Sequence, residues 1–211
     1  MLLKKLSEAV GVSSAEKEVR DIIKDKIENR VDKVWTDVMG NLIAVKGEEK
    51  EGKKLLLTAH MDEIGLMITD IESNGLLKFR PVGGIDKRVL VSKTVVIGKN
   101  KISGVIGAKA IHLQQKSERD KPIPISNLYI DIGASNKKEA EKLVELGDYA
   151  TFNTKFKQLG LNHAKGKAFD DRIGCAAIAD ILKYDYEFPL YAVFSVQEEV
   201  GLRGAARAAY D

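Results

Sequence analysis

Three short segments of this sequence combine residue types that hold cations and move protons. His60-Met61-Asp62-Glu63 directly follows the apolar run Leu55-Leu-Leu-Thr-Ala59. A histidine there can bind a metal through one ring nitrogen while a carboxylate two positions on orients the ring through the other. Read alone, it is equally an ordinary turn histidine. Phe169-Asp170-Asp171-Arg172 precedes a run of small apolar residues, so its carboxylates sit where a helix begins and backbone amides are unpaired. Such a pair reads either as a helix N-cap, for which aspartate is preferred, or as a bridging cation ligand. Gln197-Glu198-Glu199 follows the apolar run Tyr191 to Val196. Two glutamates at such a place need solvent or cations, and adjacent residues project in different directions, so one can hold a metal while the other faces a water. A glycosidase pair fits less well, because its carboxyl groups must oppose each other across a substrate at about 5 to 9 Å.

These residues need elements to position them, and the sequence supplies strand ends and helix starts. Ser13 or Ser14 caps an expected helix whose buried stripe is Val19, Ile22, Ile23 and Ile27, the three-and-four spacing of an amphipathic helix. Strand character follows over 31–37 and 41–46, then at Lys54 to Ala59, whose continuous apolar run predicts a strand covered on both faces. His60 therefore lies at a strand's carboxyl end, where α/β sheets place ligands. From Gly65 to about Gly160 the texture becomes short strands broken by glycines, at 66–71, 76–82, 94–98, 102–107 and 128–132. That pattern predicts a small β-barrel or sandwich, with a helix over Lys137 to Leu146. After Lys167 the α/β pattern returns, as a helix over 170–183, a buried strand over 191–196 and another helix from Gly201. The fold class is thus α/β: a layered α/β domain, residues 1–64 and 161–211, interrupted by a β-rich insert, residues 65–160. The chain stops at Ala209-Tyr210-Asp211 within a helical pattern, and a layered domain with so few elements leaves a sheet edge uncovered. The expectation is that a C-terminal portion of the domain is missing.

Composition excludes several classes of function. The 34 Lys and Arg nearly balance 31 Asp and Glu, and the charged runs Gly47–Lys54 and Lys116–Lys121 mix both signs. They read as solvated loops, since a nucleic-acid footprint needs one sign gathered on one face. A single cysteine, Cys175, excludes an internal disulfide and fits a reducing cytoplasm. No signal peptide is visible at the N-terminus, and no stretch reaches the roughly 18 apolar residues of a membrane span.

Taken together, Leu-Leu-Leu-Thr-Ala-His60-Met-Asp62-Glu63-Ile-Gly, Gly166-Lys-Ala-Phe-Asp170-Asp171-Arg-Ile-Gly and Val196-Gln-Glu198-Glu199-Val-Gly resemble the signatures of the tetrahedral aminopeptidases of clan MH. These form metallopeptidase family forty-two, also called glutamyl aminopeptidases, deblocking aminopeptidases or cellulase M. The resemblance covers essentially the whole chain. It implies two divalent cations per subunit, zinc, cobalt or manganese, with His60 on one, Glu199 on the other and Asp170 bridging. Asp170 is chosen over Asp171 by similarity to related peptidases in which only that position is acidic. It further implies that Glu198 is the general base and that Asp62 supports His60. The substrates implied are short peptides that lose N-terminal residues, and the insert is implied to make dimers that assemble into a dodecamer, a hollow tetrahedron. Family members continue beyond the equivalent of Asp211 and supply a further aspartate and histidine ligand there. The chain as written is therefore expected not to hold both ions tightly or turn over peptides. The competing expectation is a non-catalytic fragment or assembly subunit. An endoglucanase is a third, against which the lack of aromatic residues near the motifs counts.

Outside the motifs the expectations are plain. His112 is structural or at a subunit contact, His163 has no assigned role, and Cys175 with its neighbouring alanines packs a helix.

Overall fold

The structure, a computed structural model, describes residues 1–114 and 121–210. Most of the charged run Lys116–Lys121 lies outside the described residues. Two compact units are present, one formed by Met1–Glu63 with Lys155–Asp211 and the other by Ile64–Thr154. Among the described residues no helix is long and apolar enough to cross a membrane.

The first unit is built on a four-stranded sheet. Strands β1 (Lys33–Thr36), β2 (Leu42–Lys46) and β3 (Leu55–His60) come early in the chain, and β12 (Leu190–Ser195) late. Their order is β1-β2-β12-β3. Strand β12 runs antiparallel to β2 and parallel to β3, in a register that sets Ser195 opposite His60. The carboxyl ends of two strands, separated by more than a hundred residues of sequence, thus finish side by side. Alternate residues along the sheet, among them Leu42, Ala44, Ala59, Ala192 and Phe194, share one buried cluster with helices α1 (Leu2–Glu8), α2 (Lys17–Ile27) and α4 (Phe169–Ile181). Large side chains such as Leu42 and Phe194, fully withdrawn from water, stabilise by about 1.5–3 kcal/mol each.

The second unit is a closed barrel in the order β4-β5-β8-β7-β6-β9. Its strands are β4 (Gly65–Ile71), β5 (Leu77–Val82), β6 (Thr94–Ile97), β7 (Ile102–Ala108), β8 (Leu128–Asp131) and β9 (Tyr149–Phe152). Leu66, Ile68, Leu77, Val95, Ile97, Ile106 and Ile130 fill a core of its own. Closure removes the unpaired sheet edges that such short strands would otherwise expose. Within the first unit, a hairpin of β10 (Lys157–Leu159) and β11 (His163–Lys165), exposed throughout, completes the strands.

Three local expectations are corrected. Strand β3 is not covered on both faces: it lies at the sheet edge, with Leu55 44% and Leu56 58% exposed. An apolar run is the same letters whether one neighbour or two flank it. The helix expected over Lys137 to Leu146 closes after one turn, as α3 (Lys137–Ala140), capped by Asn136. Only Ala140 and Val144 of that stretch are buried, too narrow a stripe to sustain a longer helix. Helix α2 starts after Glu16, without a serine cap: Ser14 is left-handed (φ 76°) and Ser13 donates its hydroxyl to Asp62.

Candidate functional site

The parallel ends of β3 and β12 bring the histidine and the paired glutamates together. The backbone of Met61 donates to the Ser195 carbonyl at 2.7 Å, which carries the pairing one residue past the strand. Beyond it, the chain at Gln197 turns through a left-handed conformation (φ 55°). Nε2 of His60 then lies 3.8 Å from Glu198.

Helix α4 supplies the third group. Its start is irregular: Asp170 and Asp171 have non-helical backbone angles, and the peptide between them is cis. Asp171 turns its carboxylate back to accept from the Gly174 amide at 3.1 Å, which is N-cap behaviour. Asp170, freed of that task, lies 3.1 Å from His60 Nε2 and is 89% exposed at its side chain. Of the two adjacent acids, Asp171 thus serves the helix start and Asp170 faces His60.

Asp62 organises the floor. It is fully buried, and its carboxylate accepts from the Ser13 hydroxyl at 2.6 Å and from the backbone amides of Glu198 and Glu199 at 3.0 and 3.1 Å. Nδ1 of His60 is 3.4 Å from it, an ion-pair distance without the alignment of a hydrogen bond. Burial pushes the Asp62 carboxyl up, but its donors outweigh this and hold it below the usual carboxylate range. For His60, burial opposes the charged ring, and Asp62 and Asp170 overcome it, raising the imidazole to about 9. Burial, reinforced by the neighbouring carboxylates, raises Glu199.

A second cluster, which the sequence did not reveal, fixes the N-terminal segment beneath this floor. Arg172 is fully buried and donates to the carbonyls of Leu6 and Gly11, 3.7 Å from Glu63. Lys167 donates to the Ala9 carbonyl and to Glu63 at 2.6 and 2.5 Å. Buried charges persist only when paired and hydrogen-bonded in this way. Cys175 packs beneath the site with its thiol on the His60 carbonyl, and burial pushes the thiol up to about 12. His112 and His163 are exposed and take no part among these contacts.

Four carboxylates, Asp62, Asp170, Glu198 and Glu199, therefore surround one imidazole. Such an excess of negative charge, made of oxygen and nitrogen donors, suits a divalent cation of the zinc or manganese kind. The contacts are pairwise, and among the described residues no three His, Cys, Asp or Glu side chains form a closed cation cage.

Known proteins similar to this chain share a family name. A protein of Acetivibrio thermocellus that carries a provisional aminopeptidase name is 45% identical over 213 residues, covering 99% of this chain and 61% of its own length. The aminopeptidase APDkam598 of the archaeon Desulfurococcus kamchatkensis superimposes with a TM-score of 0.92 at 39% identity, over 99% of this chain and 58% of that one. The TET1 peptidase of Pyrococcus horikoshii, which assembles into a tetrahedron or a large octahedral shell, gives 0.87 at 40% identity, over 99% and 64%. The chain thus spans about three fifths of the length of the relatives it matches. With residues 40–211 matching the profile of the M42 glutamyl aminopeptidases, the chain belongs to that family.

Proposed function

We propose that this chain carries the metal-binding half of an aminopeptidase active site that removes N-terminal residues from short peptides. One observation carries the reading: a single imidazole, that of His60, faces Asp170 and Glu198 from two segments far away in sequence. His60, Asp170 and Glu199 would hold two divalent cations, zinc or cobalt or manganese. Bound there, such ions would supply Lewis acidity, which polarises a carbonyl and makes water nucleophilic near neutral pH. Glu198 is the base that would take a proton from the attacking water and deliver it to the departing amine. Its position suits this, partly exposed and 3.8 Å from the His60 ring. Asp62 holds both glutamates by their backbone and steadies His60 from the side away from Asp170. The exposed Asp170 leaves the approach to the cluster open to a peptide terminus.

The reading extends to assembly and location. The barrel unit, Ile64–Thr154, pairs two subunits, and pairs build a dodecamer, a reading supported by the dodecamer of the similar PhTET1-12s and the tetrahedron of the P. horikoshii TET1 peptidase. The enzyme works in the cytoplasm, where the buried free thiol of Cys175 stays reduced.

Amino-acyl chromogenic amides test the function. The chain is assayed with zinc or cobalt, both as it stands and extended to its relatives' full length. Release from the extended protein supports the reading, and no release across a full panel of amides rules it out.

A further inference from the structure

The segment that presents Glu198 and Glu199 is held by side chains rather than by strand pairing. Past the end of β12, four successive backbone amides each donate to a distant side chain. Val196 donates to Asn41 at 3.0 Å, Gln197 to Glu16 at 3.1 Å, and Glu198 and Glu199 to Asp62. The pivot is Gln197, whose left-handed φ of 55° is uncommon for a residue with a Cβ and needs surrounding contacts to hold it. Only one side chain grips its amide, the Oε1 atom of Glu16, which also accepts from Ser14 at 2.9 Å.

Glu16 is costly to keep there. It is 4% exposed, and the buried Arg172 guanidinium feels its charge. A buried carboxylate persists only where hydrogen bonds and neighbouring charge replace its hydration. Ser13-Ser14-Ala15-Glu16 has the letters of a helix capping box, but Ser13 turns to Asp62 and Glu16 reaches across to Gln197.

We infer that Glu16 is a positioning residue: it locks Gln197 in its left-handed turn and thereby aims Glu198 and Glu199 at His60 and Asp170. The inference borrows from the proposed function only what the two glutamates do once aimed. The lock itself is a property of the backbone.

Amide hydrogen exchange followed by NMR on the whole chain tests it. Glu16→Gln keeps an oxygen at the same reach and leaves Gln197 exchange within about threefold of the parent. Glu16→Asp keeps the charge but falls a methylene short, and with Glu16→Ala it accelerates exchange at Gln197 by about tenfold to a hundredfold, the loss expected for one charge-assisted bond. The strand amides of Ala192 and Phe194 move far less than Gln197. If Glu16→Ala does not fold, the Gln and Asp variants still decide the matter, because charge and reach rank them in opposite orders. Unchanged Gln197 exchange in the Asp variant, or exchange in the Gln variant as fast as in the Asp variant, overturns the inference. Uniform acceleration through β12 does so too, since that is the mark of a merely structural role. Zinc calorimetry on the same proteins is read separately: failure of the parent to bind zinc counts against the proposed function and leaves the exchange result standing.

Discussion

Asp62→Ala is the perturbation whose consequences the structure states most fully. The carboxylate is fully buried and accepts three well-formed hydrogen bonds, from the Ser13 hydroxyl and the amides of Glu198 and Glu199. Bonds to a charged group contribute about 1.5 kcal/mol or more each, so their gross loss is about 4.5 kcal/mol. Removing a buried charge also relieves its desolvation and its repulsion of neighbouring carboxylates, which leaves a net destabilisation of about 2–4 kcal/mol. Urea unfolding followed by Trp35 fluorescence reads this directly. Trp35 is the one tryptophan of the sequence and sits in β1, within the unit that contains Asp62, so its signal reports on that unit. With a slope of about 2 kcal/mol per M, the midpoint falls by about 1–2 M. Ser13→Ala, which loses one bond, falls by about 0.75 M, and Asp62→Asn, which keeps one acceptor oxygen, lies between the two. A shift below about 0.5 M for Asp62→Ala would mean that the two amides find other partners, and the role given to Asp62 as the floor of the site would be wrong.

Other consequences follow from single contacts. At Gly204 an added Cβ would collide with the backbone of Val196 and with Asn41, so Gly204→Ala costs about 1–3 kcal/mol, seen as a lower Trp35 midpoint; an unchanged midpoint contradicts the packing. The Cys175 thiol, held up near 12 by burial, stays unlabelled by a thiol reagent until urea unfolds the first unit, and early labelling contradicts its burial. Because the folded thiol binds its proton more tightly than the ordinary value of 9.0, this contribution to stability is complete below about pH 9 and is lost as pH rises toward 12. Urea midpoints measured across that window fall less in Cys175→Ser, whose hydroxyl does not titrate there. In the extended protein Glu198→Gln lowers kcat by about 10²- to 10⁴-fold while zinc affinity holds. A parallel loss of zinc would make Glu198 a ligand rather than the base.

The site was legible in the sequence where chemistry and position coincide. His60 and the glutamates sit at the ends of apolar runs, and those runs became the parallel strands β3 and β12. The alternation of texture also located the barrel, because short glycine-broken strands have few other ways to bury their faces. What could not be read was anything decided by contacts distant in sequence. Leu55 and Leu56 look like the interior of a sheet, yet only the strand order tells that β3 is an edge. Ser13 and Glu16 carry the letters of a helix cap, yet Ser13 donates to Asp62, more than forty residues away, and Glu16 accepts from Gln197, more than a hundred away, as well as from Ser14. Lys167 and Arg172 were unremarked for the same reason: a buried cation looks like a surface one until its carbonyls and Glu63 close around it.

Crystals of the chain soaked in excess zinc, with anomalous scattering recorded across the zinc edge, test the central claim most directly. The expected result is a peak about 2.0–2.2 Å from Nε2 of His60 and from a carboxylate oxygen of Asp170, lost in His60→Ala. No peak at that place, or zinc found only away from His60, Asp170 and Glu199, would contradict it.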